Sequence, residues 1–161
     1  MTSPHAWVAT PDEAEAVARL MTGFRDHLGL GWPSDNAFLA GVERLLEDRD
    51  TEFLLAAPHD DAPPAGVAQL RFRWGLWRAG GDLLLEDLYV QDEARGAGLG
   101  RALVGLALER ARARGCRRAE LDVNETNAAA LALYGSFGFS ATENPYGARD
   151  LYLRVHLDEG G

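Results

Sequence analysis

Cysteine is nearly absent from this chain: Cys116 is the only one, so no internal disulfide can form and no thiolate cluster can hold zinc. Stability must come from a buried core, and 161 residues suffice for one in a single domain. Long hydrophobic runs are missing too. No stretch approaches the roughly 18 apolar residues that span a bilayer, and Met1 to Val8 lacks the basic start and apolar run of a secretion signal. The expectation is a cytoplasmic protein with no membrane partner. The four histidines, His5, His27, His59 and His156, are scattered without ligand spacing, so no metal is expected. Positive charge is scarce as well, with 16 basic against 25 acidic residues and a net charge of -9, which argues against nucleic acid as a partner. The basic cluster Arg110, Arg112, Arg114, Arg117 and Arg118 is an exception. It falls where a helix would end, and cations there complement the helix dipole; a nucleic-acid patch is the competing reading.

What is present is ordinary globular composition, 47% hydrophobic and 25% charged, without repeats or linkers, so one domain over residues 5–157 is expected. A short strand at His5 to Thr10 precedes a helix from Pro11 to Leu28, opened by Thr10-Pro11-Asp12-Glu13 as cap, first-turn proline and early acids. Gly29 to Pro33 ends it, and Ser34 or Asp35 caps a second helix to about Glu47. Strands follow at Glu52 to Ala57 and Gly66 to Trp74, then a turn at Gly80-Gly81-Asp82 and a strand from Leu83 to Val90 that contains Glu86 and Asp87. Beyond it come a helix from Gly98 to Arg114, a strand from Arg118 to Val123, a helix from Asn127 to Phe137, and a last strand from Ala148 to Leu157, with a further one opening near Phe139.

The decisive segment is Arg95-Gly96-Ala97-Gly98-Leu99-Gly100-Arg101, set between a strong strand and an amphipathic helix. Glycines allow positive φ and close approach of a ligand, and a helix N-terminus offers unpaired N–H groups with partial positive charge; together they make a diphosphate cradle. Arg95 and Arg101 can add charge, or pair with Asp92 or Glu93. The spacing is not that of the dinucleotide G-x-G-x-x-G turn, and Arg101-Ala102 stands where a Walker A loop needs Lys-Ser/Thr.

Arg95-x-x-Gly98-x-Gly100 resembles the Q/R-x-x-G-x-G/A signature of the GNAT N-acetyltransferases, where this loop binds the pyrophosphate of acetyl-CoA. Leu85-Glu86-Asp87-Leu88-Tyr89-Val90 looks like the family's fourth strand, and Asn127-x-x-Ala130-x-x-x-Tyr134-x-x-x-Gly138-Phe139 like its last conserved helix. The resemblance covers Leu83 to Phe139 in order and spacing; the first 80 or so residues share only the pattern of elements. It implies an α/β GNAT fold: a mixed central sheet of six to seven strands, helices on both faces, splayed between strands four and five. It further implies acetyl-CoA as cosubstrate, direct transfer of its acetyl group to an amine, and a homodimer.

Transfer to an amine poses three chemical needs. An alkylammonium with a pKa of about 10.4 must lose a proton, and Glu86 is the candidate base, with contact to a cationic substrate as its other reading. Asp87, pointing the other way by strand alternation, and Trp32 are candidate acceptor contacts. The oxyanion needs a donor, and the resemblance implies backbone N–H groups near Leu88, Tyr89 and Val90, exposed by a strand bulge. The leaving thiolate needs a proton. Tyr134 matches the family's acid, with simple packing as the alternative, and Asn127 matches the contact to the pantetheine arm, with a helix N-cap as its alternative. Arg95, Gly96, Ala97, Gly98, Leu99, Gly100 and Arg101 complete the cofactor set. Cys116 has no neighbouring histidine to activate it. Trp74 and Trp77 are read as packing or as further walls of an acceptor pocket. The acidic chain and the Glu86-Asp87 pair favour a small amine as acceptor, over a peptide or a noncatalytic acetyl-CoA-binding module.

Overall fold

The computed structural model describes residues 3–141, 147 and 150–158. Five strands form one sheet in chain order: β1 (His5–Val8), β2 (Thr51–Ala57), β3 (Gly66–Gly75), β4 (Gly80–Val90) and β5 (Cys116–Leu121). The first four pair antiparallel and β5 joins β4 in parallel, so the sheet is mixed. A parallel neighbour requires a crossover, and the helix α3 (Leu99–Ala113) supplies it. Helices α1 (Ala14–His27) and α2 (Asp35–Leu46) cover the other face, and α4 (Ala128–Ser136) follows β5.

Alternation along β2 and β3 feeds two cores. Leu54, Ala68, Leu70, Leu83 and Leu85 meet Leu99, Leu103 and Val104 of α3, whereas Phe53, Leu55, Val67 and Tyr89 meet Val17, Leu20 and Met21 of α1 and Val42 of α2. Both sheet faces are thereby buried, which is why β2 reads as a nearly continuous apolar run. The helical run begins at Pro11 as the sequence predicts, although its first turn is not α-helical. A short 3-10 turn over Pro11–Glu13 precedes it, and the Glu13 carboxylate accepts from the Thr10 backbone N–H at 3.1 Å and from Trp7 Nε1 at 3.0 Å.

Three expectations about strands need correction. Gly80, Gly81 and Asp82 lie inside β4, not in a turn, which is made instead by residues 76–79 with Ala79 at φ 49°. Those glycines serve close approach: a Cβ on Gly80 would stand 2.8 Å from Arg117 Cδ, and one on Gly81 would stand 3.0 Å from Cys116 Sγ. The sheet has five strands among the described residues, not six or seven. No strand opens at Phe139, and residues 150–157 form none, with Leu151, Leu153, Val155 and Leu157 all 70% exposed or more; residues 148–149 lie outside the described residues. An alternating pattern confers capacity for a strand, but a strand exists only where a neighbour takes its hydrogen bonds.

The basic cluster is mostly spent within the molecule. Arg110 grips Glu52 through two bonds of 2.8 and 2.7 Å, Arg114 reaches Glu52 at 3.4 Å and lies 3.9 Å over the Phe72 ring, and Arg118 binds Asp82 at 2.9 Å. These arginines tie the end of α3 and β5 to β2 and β4. No helix among the described residues is long and apolar enough to cross a membrane.

Candidate active site

The fourth strand decides the geometry. Its pairing with β3 runs Gln69 to Asp87 and then Leu70 to Leu85, so Glu86 is an extra residue with no partner opposite it: a β-bulge. Beside it the pairing with β5 stops at Leu85 and Leu121, so among the described residues Glu86 to Val90 have no strand on that side. Gln91 donates its N–H to Ala65 O at 2.9 Å, which fixes the alternation: Tyr89 turns its backbone toward β3, and Leu88 and Val90 turn theirs into the gap beside β5.

The bulge also overturns the expectation that Asp87 points away from Glu86. Leu83 and Leu85 face α3, so Leu84 and Glu86 lie on the α1 face; the extra residue then shifts the phase, and Asp87 and Tyr89 lie on the α1 face too. Arg71, on that face of β3, pairs with Glu86 at 3.5 Å. Two carboxylates therefore sit side by side, with one cation beside them. Burial, and then the charge of Glu86, raise the Asp87 pKa above the ordinary carboxylate value. Arg71 escaped the sequence reading. The alternation of Arg71 and Arg73 in β3 marks a face reaching water, but only the register shows which acid they meet.

Tyr89 closes one side of this acidic patch. Its ring stacks on Phe24 with centroids 5.1 Å apart and touches His27 at 5.9 Å, so the last turns of α1 stand against the open end of β4. The α1–α2 loop leaves from there and carries Trp32, 74% exposed. Trp74 and Trp77 do not belong to this patch. Trp74 pairs with Gly81, five residues along β4 from Glu86, and Trp77 lies in the turn beyond it, fully exposed. At 3.3–3.4 Å per residue Trp74 stands about 17 Å away.

The glycine loop sits past the end of β4. Gly96 and Gly98 have φ of 81° and 90°, and Gly98 is the N-cap of α3, so no side chain caps the first N–H groups of that helix. A substituent on Gly96 would meet nothing within 4 Å. These residues fit a diphosphate, which needs convergent donors and close backbone approach. Arg95 takes the alternative open to it: Nη1 pairs with Asp92 at 3.0 Å and Nε donates to Val90 O at 3.1 Å, bracing the loop against β4. Arg101 lies 5.4 Å over the Phe137 ring. Ala97 donates to Ala94 O at 3.4 Å, and Leu99 is buried in the core beneath the loop.

Tyr134 stands on the opposite face from Glu86, against the α3 core and edge-on to Phe139 at 5.9 Å, and lines a groove of about 810 Å³ with Leu121, Val123 and Phe137. Its hydroxyl has no hydrogen-bond partner among the described residues, and burial raises its pKa. Asn127 is the N-cap of α4, its side-chain oxygen accepting from Ala130 N at 3.1 Å, which leaves its amide N–H groups for another partner. Cys116 lies apart at the far end of β4 beside Gly81, and burial raises its pKa, which disfavours the thiolate. Among the described residues no group of three His, Cys, Asp or Glu could hold a metal ion.

Comparison with known proteins places the chain in a family. A sequence model described as the acetyltransferase (GNAT) family matches residues 13–139. The chain is 29% identical over 160 residues to aminoglycoside N(6')-acetyltransferase type 1 of Stenotrophomonas maltophilia, covering 98% of this chain and 96% of that one. It is 33% identical over 87 residues to thialysine N-epsilon-acetyltransferase of Bos taurus, over about half of each chain. A crystal structure from Arthrobacter sp. FB24, described as an acetyltransferase, superposes with TM-score 0.82 at 33% identity over 94% of this chain and 95% of that one. An aminoglycoside N-acetyltransferase in complex with CoA shares the fold, with TM-score 0.77 at 20% identity over 96% of both chains. With its bulged fourth strand, glycine loop and uncapped helix α3, this chain belongs to the acetyltransferase (GNAT) family and is an acetyl-CoA-dependent N-acyltransferase.

Proposed function

We propose that the protein acetylates a primary amine of a small molecule, by direct attack of that amine on the thioester of acetyl-CoA. The observation that carries this reading is the bulge at Glu86, which turns both Glu86 and Asp87 to one face beside a sheet gap. Two acids there attract an ammonium, and the stacked rings of Tyr89 and Phe24 border the patch on the same face. The relatives named for aminoglycoside and thialysine N-acetylation point to the same acceptor class, the first over nearly the whole chain.

The roles divide across the sheet. Glu86, half-exposed and beside Arg71, takes the proton from the ammonium through water, freeing the lone pair for attack. Asp87 and Trp32 hold the acceptor. The glycine loop receives the diphosphate, and Asn127 engages the pantetheine arm through its free amide. The N–H groups of Leu88 and Val90 face the gap, where they donate to the carbonyl oxygen as negative charge develops on it. As the new C–N bond forms and the C–S bond breaks, the Tyr134 hydroxyl gives its proton to the sulfur, and the nitrogen releases its second proton through water, which restores the tyrosine hydroxyl. Its raised pKa keeps that proton in place at neutral pH. Homodimer formation, implied by the family resemblance, belongs to the same proposal and is read by sedimentation.

Thiol release from acetyl-CoA over polyamines, aminoglycosides, amino acids and lysine peptides tests the proposal. All 16 basic residues of the chain are arginine, so self-acetylation of lysine side chains cannot mimic turnover. Turnover with a small amine, reduced at least a hundredfold in Glu86→Gln, is the expected result. Turnover on peptides alone would refute it.

A further inference from the structure

The loop between α1 and α2 has almost no structure of its own, yet it presents Leu28, Leu30 and Trp32, each more than half exposed, and it leaves the end of α1 whose Phe24 and His27 touch Tyr89. Exposed loops of this kind are ordinarily mobile. Arg25, in the last turn of α1, holds this one in place. Its side chain is only 13% exposed, and its guanidinium donates to Pro33 O at 2.8 Å and meets Asp35 Oδ1 at 2.7 Å and Asp26 Oδ1 at 2.9 Å, with its carbon 5.9 Å from the Phe38 ring centre. One rigid fork therefore joins α1, the loop backbone next to Trp32, and both the first residue and the inner face of α2. The loop entrance is fixed as well, since Leu28, Gly29 and Leu30 donate to carbonyls of Phe24, Asp26 and Arg25.

We infer that Arg25 is a positioning residue for the acceptor: it fixes the 28–34 loop so that Trp32 stands ready as a wall over Glu86 and Asp87. The inference rests on the reading of that patch as the acceptor site. Location supports it, because Phe24 and His27, on either side of Arg25 in sequence, are the residues that touch Tyr89. The physical basis is preorganisation. A wall ordered before binding spares the acceptor the entropy of ordering it, so losing the clamp weakens acceptor binding and leaves the bond-making groups and the glycine loop untouched. The planar fork is essential, since a lysine ammonium is a single point and cannot span three acceptors on three elements.

The test pairs kinetics with hydrogen exchange on the full chain. In Arg25→Ala the acceptor KM rises about tenfold, with kcat within about twofold and the acetyl-CoA KM unchanged, the pattern of lost uniform binding. Arg25→Lys falls between, Trp32→Ala raises the same KM, and the double variant is no worse than the worse single, as expected when one acts through the other. Amides of residues 28–34 exchange about tenfold faster in Arg25→Ala, and those of α3 do not change. A wild-type protein that acetylates no amine brings down the acceptor reading and this inference with it. A working enzyme whose loop exchange or acceptor KM is indifferent to Arg25→Ala brings down this inference alone. So does full recovery in Arg25→Lys, or an equal rise in the acetyl-CoA KM.

Discussion

Replacing Gly98 by alanine puts a number on the glycine loop. Gly98 sits at φ 90° and ψ 11°, in the left-handed region, where a Cβ costs roughly 1–2 kcal/mol. Contact adds nothing to that: an added Cβ would lie 3.5 Å from Pro4 Cγ, an ordinary van der Waals distance. The strain has two outlets. If the loop keeps its shape, the cost falls on folding, and about 1–2 kcal/mol lowers Tm by roughly 2–8 °C in a domain of this size. If the loop relaxes to negative φ, the first N–H groups of α3 no longer converge, and the same energy appears as roughly a 5- to 30-fold loss of acetyl-CoA affinity. Calorimetric titration with acetyl-CoA, which needs no acceptor, together with thermal unfolding measures both quantities in one preparation. Gly96→Ala serves as a comparison, since φ is 81° there and no atom lies within 4 Å. A Gly98→Ala protein that matches the wild type in both Tm and affinity would refute the reasoning, because a left-handed alanine must be accommodated somewhere.

Other outcomes are expected elsewhere. Tyr134→Phe lowers kcat about a hundredfold while changing both KM values little, because the hydroxyl acts late, on the departing sulfur; steady-state kinetics decides it. Asp87→Asn stabilises the fold at neutral pH but weakens acceptor binding. Its carboxyl has a folded pKa above the unfolded one, so the wild type loses stability as pH rises from the unfolded value through the folded one and stays lower above it. Thermal unfolding across pH should show the variant and the wild type converging in acid, and divergence there instead would contradict the sign. Glu52→Ala leaves Arg110 and Arg114 without their shared carboxylate, which is 12% exposed, and costs about 1–3 kcal/mol in denaturant titration with acetyl-CoA affinity unchanged.

Much of the site was legible because its physics is local. Positive-φ glycines, an uncapped helix start and the strand before them occupy Leu83 to Arg101 without a break, and each feature depends on residues one to four positions apart. Asn127 as an N-cap belongs to the same class, its bond reaching only to Ala130. What went wrong was not local. Gly80 and Gly81 read as a turn because glycine marks turns, whereas here they admit the Arg117 stem and the Cys116 sulfur from another strand. The alternating segment ending at Leu157 finds no strand neighbour among the described residues.

The amino-acid sequence by itself determined the glycine loop, the helix that carries it and the presence of two acids in the fourth strand, because short-range backbone and capping preferences are sufficient for those. Only the tertiary structure decided which way the acids point. Facing direction along a strand depends on register, and a single unpaired residue at Glu86, visible only against β3, moves Asp87 onto the same face. The gap that bares the backbone of Leu88 and Val90 was decided there too, since it depends on where β5 stops pairing with β4 at Leu121, 36 residues farther along the chain from its partner Leu85.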